Sequence, residues 1–146
     1  MKIKPGDKLP HNDFFYLDDA NEVKIISTSD LFKAQKIILL GMPGAFTKTC
    51  SAIHLPGYVK NYELALKKGI KKIICIAVND PNVMKAWGQN QNVNNKILMV
   101  GDPFCKFAKW ISHHKYFFIY ILILTPGFHY IWIVNSYTNY FFNSFF

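Results

Sequence analysis

The sequence predicts an α/β fold in which a central, largely parallel sheet is flanked by helices. Short apolar runs at 37–40, 71–78 and 96–100 read as buried strands. Each is followed by residues that start helices, and the segments between them carry apolar residues at helical spacing. Strands that alternate with helices in this way belong to a parallel sheet.

The elements can be justified in order. Residues 14–17 and 23–26 flank Asp18-Asp19-Ala20-Asn21, turn-forming residues that predict a hairpin. The serines and threonine at 27–29 offer an N-cap for a short helix through Phe32. After the strand at 37–40, a Pro43-Gly44 turn leads into a helix. It continues through 53–68, with Val59, Tyr62, Ala65 and Leu66 on one face and Gly69 as the stop. Pro56 cannot donate to the Ala52 carbonyl, so a kink is expected there. Asn79-Asp80-Pro81 opens a helix through about residue 91, with proline in its first turn. Asp102-Pro103 starts another through about Trp110.

At 146 residues, half of them apolar, the chain can build one cored domain. Its net charge of +8 comes from lysine alone, because no arginine occurs. Arginine is the usual reader of phosphate and guanine, and the lysines are scattered, so no nucleic acid is expected as a partner. The three cysteines, Cys50, Cys75 and Cys105, form no C-x-x-C pair, and His113-His114 have no ligand partners at metal spacing. Neither metal nor cofactor is expected. The N-terminus shows no signal segment, and reduced thiols point to a cytoplasmic setting that leaves an organelle open.

The most informative stretch is Pro43-Gly44-Ala45-Phe46-Thr47-Lys48-Thr49-Cys50. With Thr47 as N-cap, Cys50 becomes the third helical residue, at capping-box spacing. Exposed N–H groups and the helix dipole favour an anion there, and the Thr47 hydroxyl can donate to the sulfur. Pro43 stiffens the loop and adds no competing N–H, while Gly44 admits a ligand close to the backbone. Against this stands the plain alternative that Cys50 only fills a gap between helix and sheet. Cys75, in a central strand, reads as core. Cys105, near a helix start, reads as at most mildly activated.

Pro43-x-x-x-Thr47-x-x-Cys50 resembles the active-site signature of the peroxiredoxins. His54-Leu55-Pro56-Gly57-Tyr58, Val78-Asn79-Asp80, Val83-Met84-Lys85-Ala86-Trp87-Gly88 and Gly101-Asp102-Pro103 are similar to the atypical type II subfamily. The resemblance covers residues 1–110. It implies a thioredoxin-like fold, incomplete at the C-terminus, and reduction of hydrogen peroxide and alkyl hydroperoxides. It makes Cys50 the peroxidatic cysteine, passing through a sulfenic acid, with Thr47 and Pro43 as its hydrogen-bonding and shielding residues. Gly44, Ala45 and Phe46 become the substrate-binding loop. An external thiol (glutathione, glutaredoxin or thioredoxin) would restore the cysteine in a one-cysteine cycle, since no resolving cysteine stands where one is expected. A homodimer is a family expectation.

Two departures matter. The family places an arginine on a strand after the Gly-Asp-Pro motif, and this chain has none. Losing one preorganised donor to developing charge costs about 10²–10³ in rate. With a thiol left largely protonated, an expected loss of three or more decades makes the chain weakly active or inactive. The second departure is the tail, 111–146, which lacks acids, has Lys115 as its only lysine and holds seven of the thirteen phenylalanines. Three readings stay open: a membrane anchor, a β-hairpin of 117–124 and 128–134 around Thr125-Pro126-Gly127, or translated non-coding sequence. The competing function is therefore a non-catalytic thioredoxin-like module that binds membranes or partners through this tail.

Overall fold

A computed structural model describes residues 9–33, 36–111 and 120–124. The chain runs β1 (Asp13–Leu17), β2 (Val23–Ser27), α1 (Thr28–Leu31), β3 (Ile37–Met42), a π-turn (Cys50–His54), α2 (Leu55–Lys60), α3 (Tyr62–Lys67), β4 (Lys72–Ala77), α4 (Pro81–Asn90), β5 (Ile97–Gly101), α5 (Lys106–Ile111) and β6 (Tyr120–Leu124).

One six-stranded sheet results, in the order β2-β1-β5-β4-β3-β6. The three apolar runs form its parallel centre, with Leu40 opposite Cys75 and Cys75 opposite Met99. The predicted hairpin pairs β1 with β2, and Phe15 of β1 reaches Gly101 of β5. Within the tail, β6 lies antiparallel to β3, Leu39 opposite Leu122. The rest of the predicted tail hairpin, including 128–134, lies outside the described residues.

Alternation along the central strands divides the core into two layers. Ile38, Leu40, Met42, Ile73, Cys75 and Ala77 face one side, where Cys50, Leu55, Tyr58, Met84 and Trp87 cover them. Ile37, Leu39, Ile74 and Ile76 face the other, against Phe14, Leu31 and Phe107. A sheet with helices on both faces is the thioredoxin-like arrangement expected from the resemblance.

The long helix after Cys50, expected to kink at Pro56, is divided into a π-turn and two short helices. Pro56 has no N–H to bond the Ala52 carbonyl, and the chain widens just upstream into a π-turn closed by Leu55 N–H to the Cys50 carbonyl. Asn61, whose side chain donates to the Gly57 carbonyl at 2.8 Å, then separates α2 from α3. Gly69 ends the helix at φ +83, a conformation that favours glycine. The helix expected from Asp102-Pro103 begins at Lys106 instead, because Cys105 adopts φ 55.

Candidate active site

The candidate site lies beyond the C-terminal end of β3, where parallel-sheet proteins present their loops. Pro43 directly follows β3 and is half-buried, as are Gly44 and Ala45. Ala45 N–H donates to Asn79 Oδ1 at 2.8 Å, tying the loop to the end of β4. Phe46 is more than half exposed and takes φ 59, a left-handed conformation that costs a non-glycine residue about 1–2 kcal/mol. Its ring faces Trp87 at 6.4 Å between centroids.

Thr47 then starts the helix. Ser51 N–H bonds the Thr47 carbonyl at 3.0 Å, the first rung of the ladder, so the N–H groups of 48–50 precede it. The helical run begins at Lys48, which places Cys50 third, as the T-x-x-C spacing predicts. The Thr47 hydroxyl donates to the Gly44 carbonyl at 3.0 Å. The same hydroxyl also acts on the Cys50 sulfur. A hydroxyl has one proton, so it serves the carbonyl while the thiol is neutral and can rotate to the sulfur when an anion forms.

Cys50 is 2 % exposed, at the floor of this loop. Burial pushes its thiol up, while the Thr47 hydroxyl and the Cys50 N–H pull it down. The net direction is upward, which corrects the expectation that the helix start alone would leave the sulfur readily ionised. Desolvation in the packed layer beneath it outweighs two neutral donors, and no cation among the described residues contributes. Burial also pushes Cys75 up, and Cys50 adds to that, so the two sulfurs sense each other within one core layer. On the π-turn, His54 is held below its usual value by burial.

Trp87 was not among the sequence-predicted site residues. It is fully buried and donates its Nε1–H to Ser51 Oγ at 2.9 Å, holding the residue next to Cys50. Its signal was the Val83-to-Gly88 motif, which carried family information without a stated role. Cys105 stands just before α5 and is half-buried. Among the described residues, no three His, Cys, Asp or Glu side chains converge as metal ligands, and no helix is long and apolar enough to cross a membrane.

The Redoxin family matches residues 4–115 of this chain. Peroxiredoxin Pen c 3 of Penicillium citrinum is 33 % identical over 141 residues, covering 87 % of this chain and 84 % of that protein. The chain belongs to the peroxiredoxins. Peroxiredoxin-2D of Arabidopsis thaliana is 41 % identical over 100 residues, which are 68 % of this chain and 62 % of that relative. The chain thus spans less than two thirds of the length of the Arabidopsis relatives it matches. Among solved structures, reduced Prx3 of Vibrio vulnificus in complex with hydrogen peroxide superposes with a TM-score of 0.80 at 30 % identity, covering 93 % of this chain and 90 % of that one. Peroxiredoxin 5 of Alvinella pompejana gives 0.71 at 27 % identity, covering 90 % and 89 %.

Proposed function

We propose that this peroxiredoxin is a thiol peroxidase of the type II kind that reduces hydrogen peroxide and alkyl hydroperoxides through Cys50 alone. The observation that carries this reading is a buried cysteine at the third position of a helix, beneath a loop that brings a hydroxyl to its sulfur. The Cys50 thiolate attacks one oxygen of the peroxide, forming an S–O bond as the O–O bond breaks. The departing oxygen leaves as hydroxide or alkoxide and takes a proton to become water or alcohol. The sulfur is oxidised by two electrons to the sulfenic acid. Two equivalents of an external thiol (glutathione, glutaredoxin or thioredoxin) then return Cys50 to the thiol, yielding water and the reductant's disulfide.

Each residue of the loop has a share. Thr47 supplies a hydrogen bond to the sulfur anion and to the attacked oxygen. Pro43 shields the sulfur without adding a competing N–H, and Gly44, Ala45 and Phe46 form the wall that receives the peroxide. No arginine assists, and burial favours the neutral thiol, so turnover is slow for the family. The relative that bears the name Peroxiredoxin-2E, chloroplastic, leaves the compartment of this chain between cytoplasm and organelle.

The test is competition for hydrogen peroxide against free cysteine at neutral pH. Cys50 is expected to react at least about tenfold faster, the preorganised donor offsetting the low thiolate fraction. Reaction no faster than free cysteine would leave a non-catalytic thioredoxin-like module.

A further inference from the structure

The contact between Asn79 and Ala45 spans 34 positions of sequence and joins the end of β4 to the middle of the 43–47 loop. A backbone N–H can only donate, so the side-chain oxygen of Asn79 must face the loop. The same oxygen lies beside Gly44, where a Cβ would stand 3.8 Å from it in ordinary contact. Asn79 is itself held from behind. A Cβ on Gly101 would collide with the Asn79 carbonyl oxygen, so the glycine of β5 is what lets this segment pass. The next residue, Asp80, fixes the start of α4 by accepting from the N–H groups of Asn82 and Val83 at 2.8 and 3.2 Å. From the same helix, Trp87 holds Ser51. The β4–α4 connection and α4 together therefore hold the chain on both sides of Thr47 and Cys50.

We propose that Asn79 is a positioning residue of the thiol site, its side-chain oxygen fixing the 43–47 loop so that loop and Thr47 hydroxyl meet a peroxide aligned on the sulfur. The proposal rests on the thiol-peroxidase reading and adds a residue that touches neither sulfur nor substrate. Oxygen transfer needs the attacked oxygen, the departing oxygen and the sulfur nearly in line. A loose loop forfeits that alignment even where the sulfur is unchanged. Alkylation by iodoacetamide needs the thiolate and access past the loop but no alignment of an oxyanion donor, so a looser loop leaves it unchanged or quickens it.

The experiment uses the full chain and its variants Asn79→Ala, Asn79→Ser and Asn79→Asp. Asn79→Ala should lower the rate with hydrogen peroxide by about 10–100-fold, as misplacement of a positioned donor does, while alkylation does not fall. Exchange of the Ala45 amide, followed by NMR, should quicken at least about tenfold in the same variant, the factor for losing roughly 1.4 kcal/mol of protection. Asn79→Ser, whose hydroxyl is too short to reach Ala45, should behave alike and serves where Asn79→Ala does not fold. Asn79→Asp keeps an acceptor oxygen and should restore the slow exchange. Unchanged Ala45 exchange in a folded variant, or equal losses with both reagents, overturns the proposal. If the unsubstituted chain reacts with peroxide no faster than free cysteine, the peroxidase reading falls separately. The amide exchange then decides the clamp alone, with equal exchange in all variants counting against it.

Discussion

Three parallel strands of this chain end in loops that start helices, and the three starts are finished differently. At α4, the Asp80 carboxylate takes the N–H groups of Asn82 and Val83. At α5, the buried Asp102 takes those of Lys106 and Ala108 at 3.2 and 2.9 Å. Beyond β3 the helix begins at Lys48 after Thr47, whose hydroxyl donates to the Gly44 carbonyl at 3.0 Å, and Cys50 stands third in it. A carboxylate would satisfy the first-turn amides and place a negative charge where a second anion is wanted. Two helix starts thus carry a carboxylate cap, and the third has a threonine and a thiol in its place. Cys105 shows the contrast within one residue type: it stands just before a helix, not inside its first turn, and Asp102 already occupies the amides ahead of it.

Substitution can break or sharpen this contrast. The largest effect is expected from Cys50→Ser, which should reduce peroxide consumption by at least about 10³-fold, to background, because a neutral hydroxyl cannot replace the nucleophile. Cys75→Ser should retain the rate within about threefold in the same coupled assay, since that sulfur faces core rather than loop. Thr47→Val keeps the shape and loses the donor. A fall of about 10–100-fold in the peroxide rate is expected, with a rise in the Cys50 ionisation midpoint read by thiolate absorbance. Asp102→Ala should leave peroxide reactivity unchanged and cost about 1–2 kcal/mol in denaturant unfolding, the range for losing a cap. Equal effects of the Thr47 and Asp102 substitutions on reactivity would erase the distinction between the two kinds of start.

The smallest expected effect concerns pH. Burial raises the Cys75 and Cys50 thiols above their unfolded values, so the folded chain holds these protons when the unfolded chain has released them. Their contribution to stability is complete below the unfolded thiol value of about 8.5 and declines as pH rises beyond it. The melting temperature should therefore fall between about pH 8.5 and 10, less steeply in Cys75→Val, as thermal melts at fixed ionic strength would show.

Much of the architecture was legible because it is written in local patterns. The apolar runs at 37–40, 71–78 and 96–100 mark the parallel centre, and Ser27 and Asp80 cap helices as their types predict. The T-x-x-C spacing likewise fixes where Cys50 stands on its helix. What escaped depends on the fold as a whole. The late start of α5 follows from a left-handed Cys105, and no composition encodes the sign of φ at a cysteine. Pro56 signals a broken rung, but whether a helix answers with a kink or a wider turn is settled by packing. The upward shift of Cys50 required knowing that its sulfur lies in the layer with Leu40, Cys75 and Trp87. Asn79 and Ala45 meet only because β3 and β4 are neighbours in the sheet.

The depth of Cys50, with 2 % of its surface reachable, sets a size hierarchy on whatever visits it. On the thiol-peroxidase reading, a molecule of two oxygen atoms suits so deep a sulfur, whereas a folded reductant does not reach it. Oxidation and recovery thus make opposite steric demands on one opening. If the thiol-peroxidase reading holds, a bulky donor completes the exchange only where the loop parts from the helix.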